Sequence, residues 1–378
     1  MVKIKLGDVI DFKNGKSIKK SDGNIPIYGG NGILGYTDKS NFSHTIVVGR
    51  VGAYCGSIHV EENLCWVSDN AIAGIPKEGQ DLTYWYYVLK SLNLNSKQIG
   101  SSQPLITQSM LKDMVVDVEI DNEKQKRIAK SILIIDQKIQ INNQINQDLE
   151  AMAKTLYDYW FVQFNFPDQN GKPYKSSGGK MVYNPELKRE IPEGWGVEKL
   201  ENVANITMGQ SPKGSSYNEA GEGIMFFQGS TDFGWRFPIA RQYTTEPSRI
   251  AEEDDILLSV RAPVGTLNIA DTRCCIGRGL AAINSKVGAN SYIFNVMQDF
   301  KKLFDMMNSV GTTFGSITKD DLYSLQLVYP PTKLLMEFDQ LVKSFDREIK
   351  NRSRQNQELT QLRDWLLPML MNGQVKVE

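Results

Sequence analysis

The sequence predicts an α+β chain made by duplication: two similar globular domains separated by two long helices that form an antiparallel coiled coil, with an internal pseudo-two-fold repeat. Three observations predict this. Short segments recur in the same order along the chain, two long apolar seams superimpose at one constant offset, and the remainder is glycine-dotted with short β-like runs. A length of 378 residues suits two cores rather than one, since domains average about 100–200 residues.

The recurrences run as follows. Leu6-Gly7-Asp8-Val9 through Gly15-Lys16-Ser17 aligns with Leu200-Glu201-Asn202-Val203 through Gly209-Gln210-Ser211. Thr45–Arg50 resembles Asp255–Arg261 with one residue of slack, and Leu105-Ile106-Thr107 matches Ser316-Ile317-Thr318. Around them, runs such as Thr45–Val48, Ser57–Val60 and Ile256–Val260 read as strands, and Leu82–Leu92 and Ser291–Val310 read as helices. Each domain is therefore expected to be α+β or β-rich.

After each globular part comes a helical seam. Ile128, Ile132, Ile135, Ile139, then Asn142 and Asn146, then Leu149, Ala153 and Leu156 alternate steps of four and three, the 3.5-residue period of a coiled coil. Phe338, Val342, Phe345, Ile349, then Arg352 and Asn356, then Leu359, Arg363 and Leu366 repeat it at an offset of 210 residues, polar interruption included. A helix of about 35 residues is roughly 50 Å long, and its stripe needs a partner. The other seam matches it, so the two are expected to pack antiparallel with the polar levels facing; packing of each helix on its own domain alone is the plainer alternative. Asn122 with Gln125 suggests a capping box, Pro167 a stop for the first helix, and Pro368 a break or end of the second. Between the helices, the Pro-, Gly- and Ser-rich stretch from Asn165 to Lys180 has linker composition. The expected organisation is a first domain at 1–120, a central long helix at 121–164, a linker at 165–196, a second domain at 197–330 and a C-terminal long helix at 331–378.

Composition narrows the chemistry. Hydrophobic residues at 41% and charged residues at 23% describe a globular chain, and no apolar run approaches the ~20 residues of a membrane span. Cys55, Cys65, Cys274 and Cys275 show no disulfide spacing, and the opening residues resemble no secretory signal, so a reducing, cytoplasmic setting is expected. A net charge of −1 means that any nucleic-acid surface must be local.

No self-sufficient catalytic site emerges. Gly30-Asn31-Gly32-Ile33-Leu34-Gly35 and Gly277-Arg278-Gly279-Leu280-Ala281-Ala282 mimic dinucleotide fingerprints, but neither is followed by an amphipathic helix, so both read as turns. Asp168 with Glu186 and Lys188 imitates a nuclease metal site, yet sits in or beside the linker. Cys55, His59 and Cys65 match no zinc spacing. No metal and no cofactor is expected in this chain.

What remains is a recognition surface. In the first half, Lys13, Lys16, Ser17, Lys19 and Lys20 crowd a loop ahead of the Tyr28–Asn31 turn, with Arg50 and Gln103 further on. In the second, Gln210, Ser211 and Lys213 occupy the equivalent loop, followed by Gln228, Thr231, Trp235, Arg236, Arg261 and Arg278. Arg, Gln and Asn bond base edges, while Lys, Ser and Thr hold phosphates. Different polar side chains on two similar scaffolds suit readers of two different base sequences. A duplicated coiled-coil scaffold that binds no DNA, and a metal-dependent nuclease built on Asp168 and Glu186, are the rival readings.

Several segments resemble one family: Ile25-Pro26-Ile27-Tyr28-Gly29-Gly30-Asn31-Gly32, Gly100-Ser101-Ser102-Gln103-Pro104-Leu105-Ile106-Thr107, Tyr157-Asp158-Tyr159-Trp160-Phe161 and Arg189-Glu190-Ile191-Pro192-Glu193-Gly194-Trp195. In order, and across essentially the whole chain, they are similar to specificity (S) subunits of type I restriction–modification enzymes. The second half departs from the pattern with Phe226-Phe227-Gln228-Gly229 in place of the Tyr-Gly-Gly-Asn turn. The resemblance implies two target recognition domains, each reading half of a bipartite double-stranded DNA site, and helices that act as a ruler and dock two modification subunits. It also implies that S-adenosylmethionine chemistry resides on those subunits, and that ATP- and Mg2+-dependent translocation and cleavage reside on restriction subunits.

Overall fold

The computed structural model describes residues 1–97, 105–309, 316–375 and 377. The chain divides into two units, Met1–Asn143 with Arg354–Glu378, and Gln144–Ser353. Each long helix contributes one half to each unit.

In the first unit, strands Ile10–Asn14, Ala71–Pro76, Thr45–Gly49 and Ile58–Glu61 form an antiparallel sheet in that spatial order. Central Thr45–Gly49 is buried throughout, which explains why it reads as an unbroken apolar run rather than an alternation. A second sheet sets Gly32–Thr37 beside Ile25–Gly29, which runs parallel to Trp66–Val67. A third pairs Val2–Lys5 with Val115–Val118. The helix Leu82–Ser91, capped by the Asp81 carboxylate accepting from the Tyr84 amide at 2.7 Å, buries Tyr84, Trp85, Tyr87, Val88 and Leu89 against this core.

The second unit repeats the plan. Ala204–Met208, Leu280–Ser285, Ile256–Ser259 and Leu267–Ile269 form the four-stranded sheet in the corresponding order. Gly196–Lys199 pairs with Gln326–Tyr329, and Phe226-Phe227 runs parallel to Cys275-Ile276 as Ile27-Tyr28 does to Trp66-Val67. The sequence recurrences mark the joints of this plan. Leu6 and Leu200 are fully buried, and their amides donate to Met114 and Leu325 carbonyls at 2.9 and 2.8 Å. Gly15 and Gly209 sit where a Cβ would lie 1.9 Å from the Ser68 oxygen and 2.1 Å from the Gly277 oxygen, so only glycine fits at either place.

The central helix spans Asn122–Tyr157 and continues as a π-turn over Asp158–Val162; the C-terminal helix spans Thr332–Met371. Within the first unit, Asn142 bonds Asn356 and Asp136 bonds Arg363, so one number falls as the other rises. Within the second, Asn146 bonds Ser353 and Tyr157 packs on Phe338, again antiparallel. Every proposed seam residue, from Ile128 to Leu156 and from Phe338 to Leu366, is buried or half-buried. Asn142, wholly buried, donates to Gln355 Oε1 at 2.7 Å and Asn356 Oδ1 at 2.8 Å, while Arg352 meets Glu348 on its own helix at 2.6 Å.

Three local expectations need correcting. The cap of the central helix is Asp121, whose carboxylate accepts from the Lys124 amide at 2.9 Å. Gln125 instead ties the helix start to Asp81, Gln80 and Glu119. Pro368 does not end the second helix, which runs one turn further because Leu367, Leu370 and Met371 are buried in the first unit's core. The stretch 165–196 is not a loose tether: Phe166 stacks between Tyr174 and Trp195 at 4.6 and 5.1 Å, and Met181–Asn184 pairs with Arg189–Pro192. Three aromatic rings outweigh the glycine and serine content that dominates its composition.

Candidate nucleic-acid interface

In the first unit the Lys-rich loop leaves strand Ile10–Asn14 and is fastened at its root. The Lys16 amide donates to the Val67 carbonyl at 3.0 Å, and the Lys16 carbonyl accepts from the Trp66 indole at 2.6 Å. Held this way, Lys13, Lys16, Ser17, Lys19 and Lys20 are all exposed. Asn31 is exposed at the tip of the hairpin that joins Ile25–Gly29 to Gly32–Thr37. Tyr28 is not available for reading: it is 8% exposed and its hydroxyl donates to Glu61 at 3.1 Å. Burial, with the Glu61 carboxylate beside it, pushes that phenol above its ordinary range. The Tyr-Gly-Gly-Asn turn thus presents its asparagine and hides its tyrosine.

Arg50 follows the buried strand Thr45–Gly49 and lines a cleft of about 360 Å³ with Asn14, Thr107, Gln108, Ser109 and Lys112. The Ile106 amide donates to the Arg50 carbonyl at 3.0 Å, which brings the Leu-Ile-Thr recurrence against the arginine. Gln103 lies outside the described residues, as do Gly100 to Pro104 of the motif that contains it.

The second unit builds the corresponding cleft, of about 430 Å³, from Arg261 after strand Ile256–Ser259 together with Gln228, Ser230, Thr231 and Ser259. The Ile317 amide donates to the Val260 carbonyl at 2.8 Å, repeating the Ile106–Arg50 contact with the one-residue slack seen in sequence. Ser211 donates to Gln228 Oε1 at 3.0 Å, Lys213 reaches Glu246 at 3.6 Å, and Gln210, Arg261 and Arg278 are exposed. Trp235 is 50% exposed.

Arg236 is the clearest correction among the candidate readers. Only 6% exposed, it donates to Glu150 Oε1 at 3.0 Å and to Asp346, and its guanidinium lies over the Phe294 ring at 4.3 Å. No surface remains on it for a base. Sequence reasoning missed Asn14, Gln108, Ser109 and Lys112, which reach the Arg50 cleft from separate parts of the chain; the one available signal was the recurring Thr107.

The mimicked catalytic motifs dissolve. Gly32 opens a strand, not a helix, and Gly277–Gly279 is the turn between strands Cys274–Ile276 and Leu280–Ser285. The Asp168 carboxylate is occupied by the Asn170 and Lys172 amides at 2.8 Å. Among the described residues no cluster of His, Cys, Asp or Glu could hold a metal ion, and no helix is long and apolar enough to cross a membrane. All four cysteines are buried and unpaired.

Residues 1–151 and 192–361 match the family described as the Type I restriction modification DNA specificity domain. A Methanocaldococcus jannaschii protein named for the specificity subunit of type I restriction enzyme MjaX is 33% identical over 281 residues, which are 73% of this chain and 63% of that relative's length. The MjaIX specificity subunit of the same organism is 28% identical, over 80% of this chain and 71% of its own. In fold, the chain resembles a crystal structure of a type I restriction–modification S subunit from M. genitalium, with a TM-score of 0.67 and 18% identity over 98% of this chain and 96% of that one. With both halves of the duplication matched, the chain belongs to the type I restriction modification DNA specificity domain family.

Proposed function

We propose that this chain is the DNA sequence-recognition subunit of a type I restriction–modification complex, a cytoplasmic assembly, with each globular domain reading one half of a bipartite duplex site. The observation that carries the reading is one scaffold used twice with different polar side chains at equivalent positions. Lys16-Ser17 stands where Gln210-Ser211 stands, and the cleft of Arg50 offers Asn14, Thr107 and Lys112 where that of Arg261 offers Gln228, Ser230 and Thr231. A constant arginine suits a shared feature of any duplex, while the varied neighbours suit base edges, which differ between half-sites. The exposed members of the candidate set, together with Asn14, Gln108, Ser109 and Lys112, form the contact surface in this reading; Tyr28 and Arg236 do not.

The long helices act as the ruler. Apolar side chains left exposed on them, Ile134, Ile141, Leu362 and Trp365 in the first unit and Met152, Met336 and Leu341 in the second, are the docking positions for two modification subunits. Those subunits bring S-adenosylmethionine and methylate adenine; restriction subunits bring ATP- and Mg2+-dependent translocation and cleavage. The chain itself binds, orients and spaces. The domains proposed to exchange as modules are 1–120 and 197–330. Replacing 1–120 by the same segment of a relative and sequencing the methylome of a host that also carries the modification subunit is the test. One half-site changes and the other stays; a change in both, or in neither, overturns modular reading.

A further inference from the structure

The repeat offset that relates the two seams also relates two carboxylates, Asp136 on the central helix and Asp346 on the C-terminal helix, 210 residues apart. Both are gripped in the same manner. Asp136 accepts from the Tyr87 hydroxyl at 2.8 Å and from Arg363 Nη1 at 3.0 Å. Asp346 accepts from the Ser291 hydroxyl at 3.2 Å and from Arg236 Nη2. In each case the hydroxyl belongs to the helix that follows the last strand of the four-stranded sheet, Leu82–Ser91 or Asn290–Ser309, so the carboxylate ties its own globular domain to the rods.

The arginines differ in origin. Arg363 comes from the facing rod, so the first knot joins rod, rod and domain helix without touching a reading loop. Arg236 comes from the segment that carries Gln228, Thr231 and half-exposed Trp235. It also bonds Glu150 on the central helix, and the Ile269 amide donates to its carbonyl at 2.9 Å. The first knot holds a domain in place; the second holds a domain and the root of its reading loop.

We infer that Asp136 and Asp346 are twin positioning residues that fix each recognition domain on the helical pair, and that the Asp346–Arg236 bond in addition positions the reading loop of the second domain. This rests on the DNA-recognition reading above. Neither residue touches DNA; each acts through the group that it orients, as a supporting shell does. Freeing a domain loosens the permitted spacing between half-sites, and freeing the loop root loosens the base sequence.

The test uses the full chain in complex with its modification subunit, in cells whose methylome is sequenced, with Asp136→Asn, Tyr87→Phe, Asp346→Asn and Ser291→Ala compared with the unaltered chain. Asp346→Asn is expected to raise methylation about tenfold, relative to the cognate site, at sites mismatched in the second domain's half and not the first's. Both it and Ser291→Ala, which cuts only the tie to the domain helix, are expected to raise methylation at sites whose gap is one base pair longer or shorter. Asp136→Asn and Tyr87→Phe are expected to raise it at sites whose gap is one base pair longer or shorter, with base preference unchanged. A uniform fall of methylation at all sites, in proportion to the amount of folded complex, means a merely structural role and overturns the inference, as does no change. Asp346→Glu, which keeps the charge, guards against misfolding by restoring discrimination at the second half-site; failure to restore it in a folded complex counts against the inference. An unaltered chain that yields no bipartite motif instead refutes the DNA-recognition reading itself.

Discussion

Replacing Asn142 by alanine probes the polar layer of the helical pair. One wholly buried amide there donates twice, to exposed Gln355 at 2.7 Å and to half-buried Asn356 at 2.8 Å. Water replaces the first bond, at a loss near ~0.5 kcal/mol; the second leaves a partly buried carbonyl without its donor, at ~1–3 kcal/mol. The expected destabilisation is about 2 kcal/mol, read from urea unfolding of the whole chain at constant m-value. Asn146→Ala breaks a single, longer bond to Ser353 at 3.3 Å and is expected to lose less. Because Asn142 and Asn356 share a bond, the double alanine variant falls short of the sum of the singles by about 1 kcal/mol. Leucine at both positions is neutral or stabilising, yet surrenders the device that fixes register, so its helices tolerate slippage. An Asn142→Ala loss below ~0.5 kcal/mol, or a coupling energy of zero, refutes the assignment of register to this layer.

Three other outcomes follow from the geometry. Gly15→Ala and Gly209→Ala each drive a Cβ into backbone oxygen, so each is expected to abolish the compact state of its own unit while the other unit keeps its hydrogen-exchange protection; normal protection in both sinks the joint role given to these glycines. Inserting seven residues into the coil beyond Asn146, two turns that preserve the seam, is expected to change the gap in the methylome motif and neither half-site; an unaltered gap removes the ruler. Glu119, at the start of the central helix, accepts the Asp121 and Ile120 amides at 3.0 and 2.9 Å, and these bonds hold its carboxyl below the usual carboxylate range. A lowered folded-state pKa means stability that is present above the unfolded value and lost as pH falls through the folded one. Glu119→Gln therefore flattens the acid limb of unfolding measured by circular dichroism, and an unchanged limb contradicts this.

Periodicity, recurrence and glycine were legible from the chain because each is a local consequence of backbone geometry. A 3.5-residue seam, its polar break and its copy 210 residues on announce two helices that need one another, and Gly15 and Gly209 recur because no side chain fits at that joint. The exposed lysine loop was legible too, since charge clustered beside glycine stays in water. What only the tertiary structure decided was accessibility and convergence. Arg236 and Arg261 look alike in sequence, yet one is buried between Glu150 and Asp346 and the other opens a cleft. Tyr28 hides while Asn31 faces out, and Asn14, Arg50 and Lys112 meet although far apart in the chain. Whether a polar side chain faces solvent or its own core depends on which distant segments pack over it, and no run of neighbouring residues carries that information.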